Sequence, residues 1–242
     1  MPNKTYFNWS TGKDSALALY KMQEQSAFNI DLLVTTVNSD LNRVSMHGLR
    51  NDLLFKQAES IGIPLKTIEL SGDVSMKTYD KVMKTAMNEL QQESYTHTVF
   101  GDIFLEDLKK YRESKLGEVG IKPVFPLWKM DTKKLMEEFL DLGFKAIIVS
   151  VNAKLLDESF VGKVIDKKFI EELPEGVDVC GENGEFHTFV FDGPIFKKPV
   201  NFEIGEKILK SYSPSKNQDD SCFQDDDEIT WDTSFWYCDL VG

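Results

Sequence analysis

Through residues 1–125 the chain alternates short apolar, β-branched runs with helical stretches, and that rhythm leaves few folds open. Tyr6-Phe7-Asn8-Trp9 leads into a helix carrying Leu17, Leu19, Tyr20 and Met22. Ile30 to Val37 reads as a buried strand, and Leu54, Ala58 and Ile61 mark a helix face at i, i+4, i+7 that Gly62 stops. Pro64 opens a strand through Leu70, and Tyr79, Val82, Met83, Ala86 and Leu90 line another helix. His97 to Phe100 is a short strand ended by Gly101, followed by a charged helix over Glu106–Leu116 and a strand at Ile121–Phe125. Strands and helices alternating at this pace predict an α/β fold, a doubly wound parallel sheet with helices on both faces.

After Pro126 the rhythm weakens. Leu135, Phe139 and Leu142 predict a helix, Phe144–Val151 a strand, residues 164–173 a helix, and Phe186–Phe191, 200–211 and Ser234–Leu240 three more strands. The expectation is a nucleotide-binding domain over 1–125 and a smaller α+β substrate-recognition domain over 126–242, divided somewhere in 117–130. Ser213–Glu228, rich in Ser, Asn, Gln and Asp, reads as a solvated loop.

Charge narrows the partners. Residues 1–125 hold 15 Lys and Arg against 16 Asp and Glu, net −1; residues 126–242 hold 13 against 24, net −11. A nucleic-acid binder needs a basic face to neutralise phosphates, so no such partner is expected. No apolar run approaches the roughly 20 residues of a membrane span, and Met1–Thr5 leads into no apolar signal region. Three scattered cysteines, Cys180, Cys222 and Cys238, never in a C-x-x-C pair, fit a reducing compartment and a cytoplasmic location.

The chemistry starts where the first strand ends. Ser10-Thr11-Gly12-Lys13-Asp14-Ser15 joins strand to helix, where unpaired N–H groups and the positive end of the helix dipole hold an anion. Gly12 lets the backbone approach closely, Lys13 adds a charge, and Ser10, Thr11 and Ser15 add hydroxyls. Asp14 does not favour a bare phosphate; its expected work is to orient the loop or help hold Mg²⁺. As a bare helix start the same residues would be caps and a solvated lysine, which explains each one but not their combination. A Walker A loop is ruled out, because Phe7 stands where its first Gly belongs and Asp14 where its Ser or Thr belongs.

The loop resembles S-G-G-K-D-S of the N-type ATP pyrophosphatases, the PP-loop superfamily, with Thr11 in place of the usual Gly. The segment Cys180-Gly181-Glu182-Asn183-Gly184-Glu185-Phe186-His187-Thr188 resembles the G-E-N-G-E-F-H-T signature of the diphthine–ammonia ligase family. Met46-His47-Gly48-Leu49-Arg50, Gly101-Asp102-Ile103 and Phe125-Pro126-Leu127-Trp128 agree with that family, and the likeness covers residue 5 to about 195. It implies a five-strand sheet of the adenine nucleotide alpha hydrolase type and ATP, with Mg²⁺, cleaved to AMP and pyrophosphate. It also implies a carboxylate-bearing acceptor, adenylated and then converted to an amide by ammonia. A homodimer is allowed.

Candidate residues follow. Ser10 to Ser15 are expected on the phosphates, with Asn38, His47, Arg50, Gly101 and Asp102 at the carboxyl ends of the strands reaching nucleotide or substrate. Lys13, Glu182, Asn183, Glu185 and His187 are the expected catalytic set: two carboxylates, an amide and an imidazole within six residues can orient a cation and move protons. The same stretch is open to reading as a hairpin, since Asn183-Gly184 is a type I′ turn signal. His47 reads equally as a helix-start residue, and Gly101 as a turn. The rival function is a sensor that binds ATP or AMP without ligase chemistry; a simple ATP hydrolase is a weaker third.

Overall fold

The structure is a computed structural model describing residues 2–45, 48–72, 75–212 and 233–242. Its first sheet holds five parallel strands: β1 (Asn3–Asn8), β2 (Phe28–Asn38), β4 (Leu65–Leu70), β5 (His97–Val99) and β6 (Lys122–Val124). They lie side by side as β4-β2-β1-β5-β6, and the short β3 (Arg43–Val44) adds antiparallel to the end of β2. Counting the parallel strands alone, the order is 3-2-1-4-5, that of a doubly wound sheet, with its switch point between β1 and β5. The expected five-strand fold is therefore present. The sequence reading missed only β3, whose two residues carry no periodicity.

The helices of this half are α1 (Lys13–Gln23), α2 (Asn51–Ile61), α3 (Met76–Gln92) and α4 (Glu106–Gly117). Strand alternation sends neighbouring side chains to opposite faces. Tyr6 and Val34 pack with Ala86, Leu90 and Leu116 of α3 and α4; Phe7 and Leu33 pack with α1 and α2. Gly62 ends α2 in the left-handed conformation (φ 82°), with its N–H on the Ala58 carbonyl, as its place after the apolar stripe predicts.

The second half adds α5 (Thr132–Asp141), β7 (Lys145–Asn152), α6 (Lys167–Glu172), β8 (Phe186–Asp192), β9 (Glu203–Tyr212) and β10 (Thr233–Val241). Its four strands form an antiparallel sheet ordered β8-β7-β10-β9, leaving β8 at one edge. The core shared by Phe7, Leu19, Leu53 and Phe139 runs without a break into Ile148, Phe189 and Leu240. The expected loop at 213–228 lies outside the described residues. Among the described residues no helix is long and apolar enough to cross a membrane.

Candidate active site

Residues 9–15 leave the carboxyl end of β1, and residues 100–105 leave that of β5, its neighbour across the switch point. Gly101 is packed against the start of α1: a Cβ there would sit 3.0 Å from both the Asp14 carbonyl carbon and the Ser15 nitrogen. The glycine is thus needed for backbone contact with the loop itself.

The loop is held from three directions. The Trp9 carbonyl accepts from Thr35 Oγ1 at 2.7 Å, and the Trp9 indole donates to Gln57 Oε1 at 2.9 Å. Gln57 Nε2 in turn donates to the carbonyls of Thr11 (3.1 Å) and Val190 (2.5 Å). The Val190 N–H donates to the Thr11 carbonyl at 3.0 Å, so the outer edge of β8 is bonded to the loop. Inside it, the Ser10 and Ser15 hydroxyls lie 2.6 Å apart, and the Lys13 N–H donates to Thr188 Oγ1 at 3.0 Å.

Thr11 sits at φ 74°, fully buried, with its hydroxyl unpartnered. A β-branched residue there is strained by about 1–2 kcal/mol, which accounts for the glycine of the related loops. Thr11→Gly relieves that strain and the orphaned hydroxyl, against the extra chain entropy of glycine. The expected result is a gain of about 1 kcal/mol in denaturant unfolding; a loss of that size would show the strain to be absent.

Lys13 is 4% exposed, its Nζ 2.8 Å from both Asp14 oxygens and 5.8 Å from the Phe186 ring centre. Burial alone would favour the neutral amine, but the Asp14 carboxylate in contact with it more than offsets that and holds the ammonium charged. Three carboxylates from three segments, Asp14, Asp102 and Glu182, lie within electrostatic reach of one another here. Asp102 is raised by burial and by Asp14, against Arg112, whose Nε lies 3.1 Å from Asp102 Oδ2 without hydrogen-bond alignment. Glu182 is raised to about 8, by burial first and then Asp14 and Asp102, although Lys13 and the Ile103 N–H favour its charged form.

Glu185 is 2% exposed and accepts from the Asp178 N–H (3.0 Å), the Asn183 N–H (2.8 Å) and Asn183 Nδ2 (3.0 Å). It therefore ties residues 178–185 into one compact turn. That turn is not the type I′ hairpin, which needs positive φ at both central residues: only Gly184 has it, and no strand directly precedes β8. His187, on β8 opposite Ser150, is lowered to about 4 by burial and then by Lys13, so its imidazole is neutral at neutral pH.

The structure thus gathers Ser10–Ser15, Gly101, Asp102, Glu182, Asn183, Glu185 and His187 around one strand junction. Asn38 Oδ1 caps a turn on the Leu41 N–H, and Arg50 pairs with Asp239 of β10 at 2.5 Å; among the described residues no hydrogen bond or ion pair joins either to the loop. His47 lies outside the described residues. Sequence reasoning passed over Gln57, Thr188, Asp178, Arg112 and Cys180. Gln57 had a signal, a polar residue beside Leu54 and Ala58 on a buried helix face. Thr188 and Cys180 lay within the quoted signature. Cys180 stands by Lys13 with its Sγ toward the Thr132 carbonyl at 3.3 Å, and burial pushes its thiol up to about 12.

Family models match both halves: the diphthamide synthase N-terminal domain over residues 3–123 and the diphthamide synthase C-terminal domain over residues 131–216. The chain belongs to the diphthamide synthase family. Among curated relatives, a diphthine–ammonia ligase of Danio rerio is 30% identical over 169 residues, 64% of this chain and 66% of that protein. One of Bos taurus is 34% identical over 113 residues, 44% of this chain and 42% of that protein. The chain therefore spans just under two thirds of the first and less than half of the second. A predicted subunit of tRNA methyltransferase from Methanocaldococcus jannaschii overlaps 61% of this chain and 80% of its own at TM-score 0.43 and 19% identity. The matched family segments contain both the loop and the Gly181–Thr188 signature.

Proposed function

We propose that this chain is an ATP-dependent ligase that cleaves ATP to AMP and pyrophosphate and joins ammonia to a substrate carboxylate. The observation that carries this is the meeting of a phosphate-type loop with the Gly181–Thr188 turn at the switch point of a doubly wound sheet. In this reading residues 1–125 form the ATP-binding domain and 126–242 the substrate-recognition domain. The phosphates lie on Ser10–Ser15, where the first turn of α1 and the charged Lys13 offset their charge.

The acceptor carboxylate attacks the α-phosphorus, and pyrophosphate leaves toward Lys13. Ammonia then attacks the acyl carbon, AMP departs with the bonding electrons, and the surplus proton passes to a base. Glu182 suits that step, since a group raised to about 8 is matched to proton transfer near neutrality. Neutral His187 and Asn183 position the acceptor, and Glu185 holds the turn that presents them. The net −11 of residues 126–242 suits a cationic acceptor such as diphthine, a modified histidine of elongation factor 2.

Mg²⁺ fits the residues in a limited way. Among the described residues no cluster of three metal-ligating groups stands ready, but a magnesium arriving with phosphates needs only one or two carboxylates, and Asp14 fits. Its chemistry there would be to shield phosphate charge. A direct test supplies ¹⁵N-ammonium, ATP and a diphthine-bearing substrate. Isotope in an amide, with AMP formed in equal amount, is expected; unlabelled substrate would overturn the reading.

A further inference from the structure

We propose that Thr188 is a phosphate ligand supplied by the second sheet: its hydroxyl, which accepts the Lys13 amide N–H, donates its own proton to an oxygen of the nucleotide's phosphate chain. The inference rests on the reading that phosphate sits on the loop, and adds to it a residue from a segment 175 positions away.

Three observations carry it. First, α1 begins without a side-chain cap from Gly12, and two backbone donors at its start meet hydroxyls instead. The Gly12 N–H points to Ser10 Oγ at 3.4 Å, and the Lys13 N–H to Thr188 Oγ1 at 3.0 Å. Second, the Thr188 hydroxyl accepts that bond, yet no acceptor takes its proton among the described residues, although the residue is only 3% exposed. A hydroxyl has one proton to give besides its lone pairs, and a buried donor left unspent is destabilising. The loop holds another such group, the fully buried Thr11 hydroxyl. Third, the hydroxyl is placed by backbone. Two residues along β8, the Val190 N–H is bonded to the Thr11 carbonyl, and Gln57 clasps the carbonyls of both.

A hydroxyl accepting from a helix-start amide is polarised toward donation, so Thr188 passes the pull of the α1 terminus on to the ligand. Nucleotide binding then depends on β8 being docked, which couples the Gly181–Thr188 turn to the phosphates.

The test is calorimetric binding of ATP, and separately of inorganic pyrophosphate, to the full chain and to Thr188→Ser, Thr188→Val and Thr188→Ala. A hydrogen bond to a charged oxygen predicts affinity weakened about tenfold to a hundredfold in Thr188→Val and Thr188→Ala, with Thr188→Ser within about threefold of the parent. Should Thr188→Val not fold, Thr188→Ala decides the same question. Parental affinity in the folded valine or alanine variant would overturn the proposal. So would a serine variant as weak as alanine, because the methyl group and not the hydroxyl would then matter. Pyrophosphate binding is read without turnover, so a chain that binds it but makes no amide would sink the ligase reading and leave this one standing. A parent chain that binds neither probe would overturn both.

Discussion

Lys13→Ala is expected to slow pyrophosphate release from ATP about a thousandfold, the upper range for losing one preorganised charge or donor at developing negative charge. The size of the effect follows from placement. Lys13 is almost wholly buried in the first turn of α1, and the Asp14 carboxylate keeps it charged against the pull of burial. Its ammonium is already formed, oriented and shielded when phosphate arrives. Removing it leaves Asp14 and Glu182 facing the incoming phosphates with no cation from the loop. Lys13→Arg is not a conservative repair, because a planar fork does not fill the place of a compact ammonium beside the Phe186 ring. A coupled pyrophosphate assay measures the effect; a Lys13→Ala rate within tenfold of the parent would remove the loop from the chemistry.

Glu182→Gln is expected to stabilise the folded chain in a pH-dependent manner while abolishing amide formation. In the fold the Glu182 carboxyl is raised from 4.5 to about 8 by burial, Asp14 and Asp102. Below pH 4.5 both folded and unfolded forms carry the proton, and nothing is lost. As pH rises toward 8 the unfolded chain ionises first, so stability drains away across that window. Glutamine never ionises. The advantage of the variant is therefore near zero at pH 4, grows through neutrality and levels off above pH 8, at roughly 2–3 kcal/mol after allowing for partial solvent screening. His187 titrates the other way: lowered to about 4, it draws stability down as pH falls from 6.5 toward 4. It does so in both proteins and cancels in the difference. Denaturant unfolding from pH 4 to 9 gives the curve, and a difference that does not change with pH would refute the raised carboxyl.

The sheet was legible because its central strands β1 and β2 are apolar and largely buried and α1 and α2 carry apolar faces. Ile30–Val37 and the Leu54, Ala58, Ile61 row left little choice of element. The two-residue β3 was not, since pairing alone defines it. At the site, the loop could be read locally: Ser10 to Ser15 are consecutive, and a strand–loop–helix junction is an anion site wherever it occurs. Arg112 and Gln57 could not be read the same way. Arg112 stands in a charged helix that reads as solvent-facing, and its pairing with Asp102 exists only once α4 folds back on the β5 end. Gln57 gains its role from Trp9, Thr11 and Val190, which the fold brings together from three segments. The ion pair of Arg50 with Asp239 is of the same kind, since it exists only once β10 is in place.

The most direct test of the central claim is which bond of ATP is broken. The full chain with ATP, Mg²⁺, ammonium and a diphthine-bearing acceptor, followed by phosphorus NMR, is predicted to give AMP and pyrophosphate in equal amounts, with both absent when the acceptor is left out. ADP and phosphate, or AMP released at the same rate without any acceptor, would contradict the account.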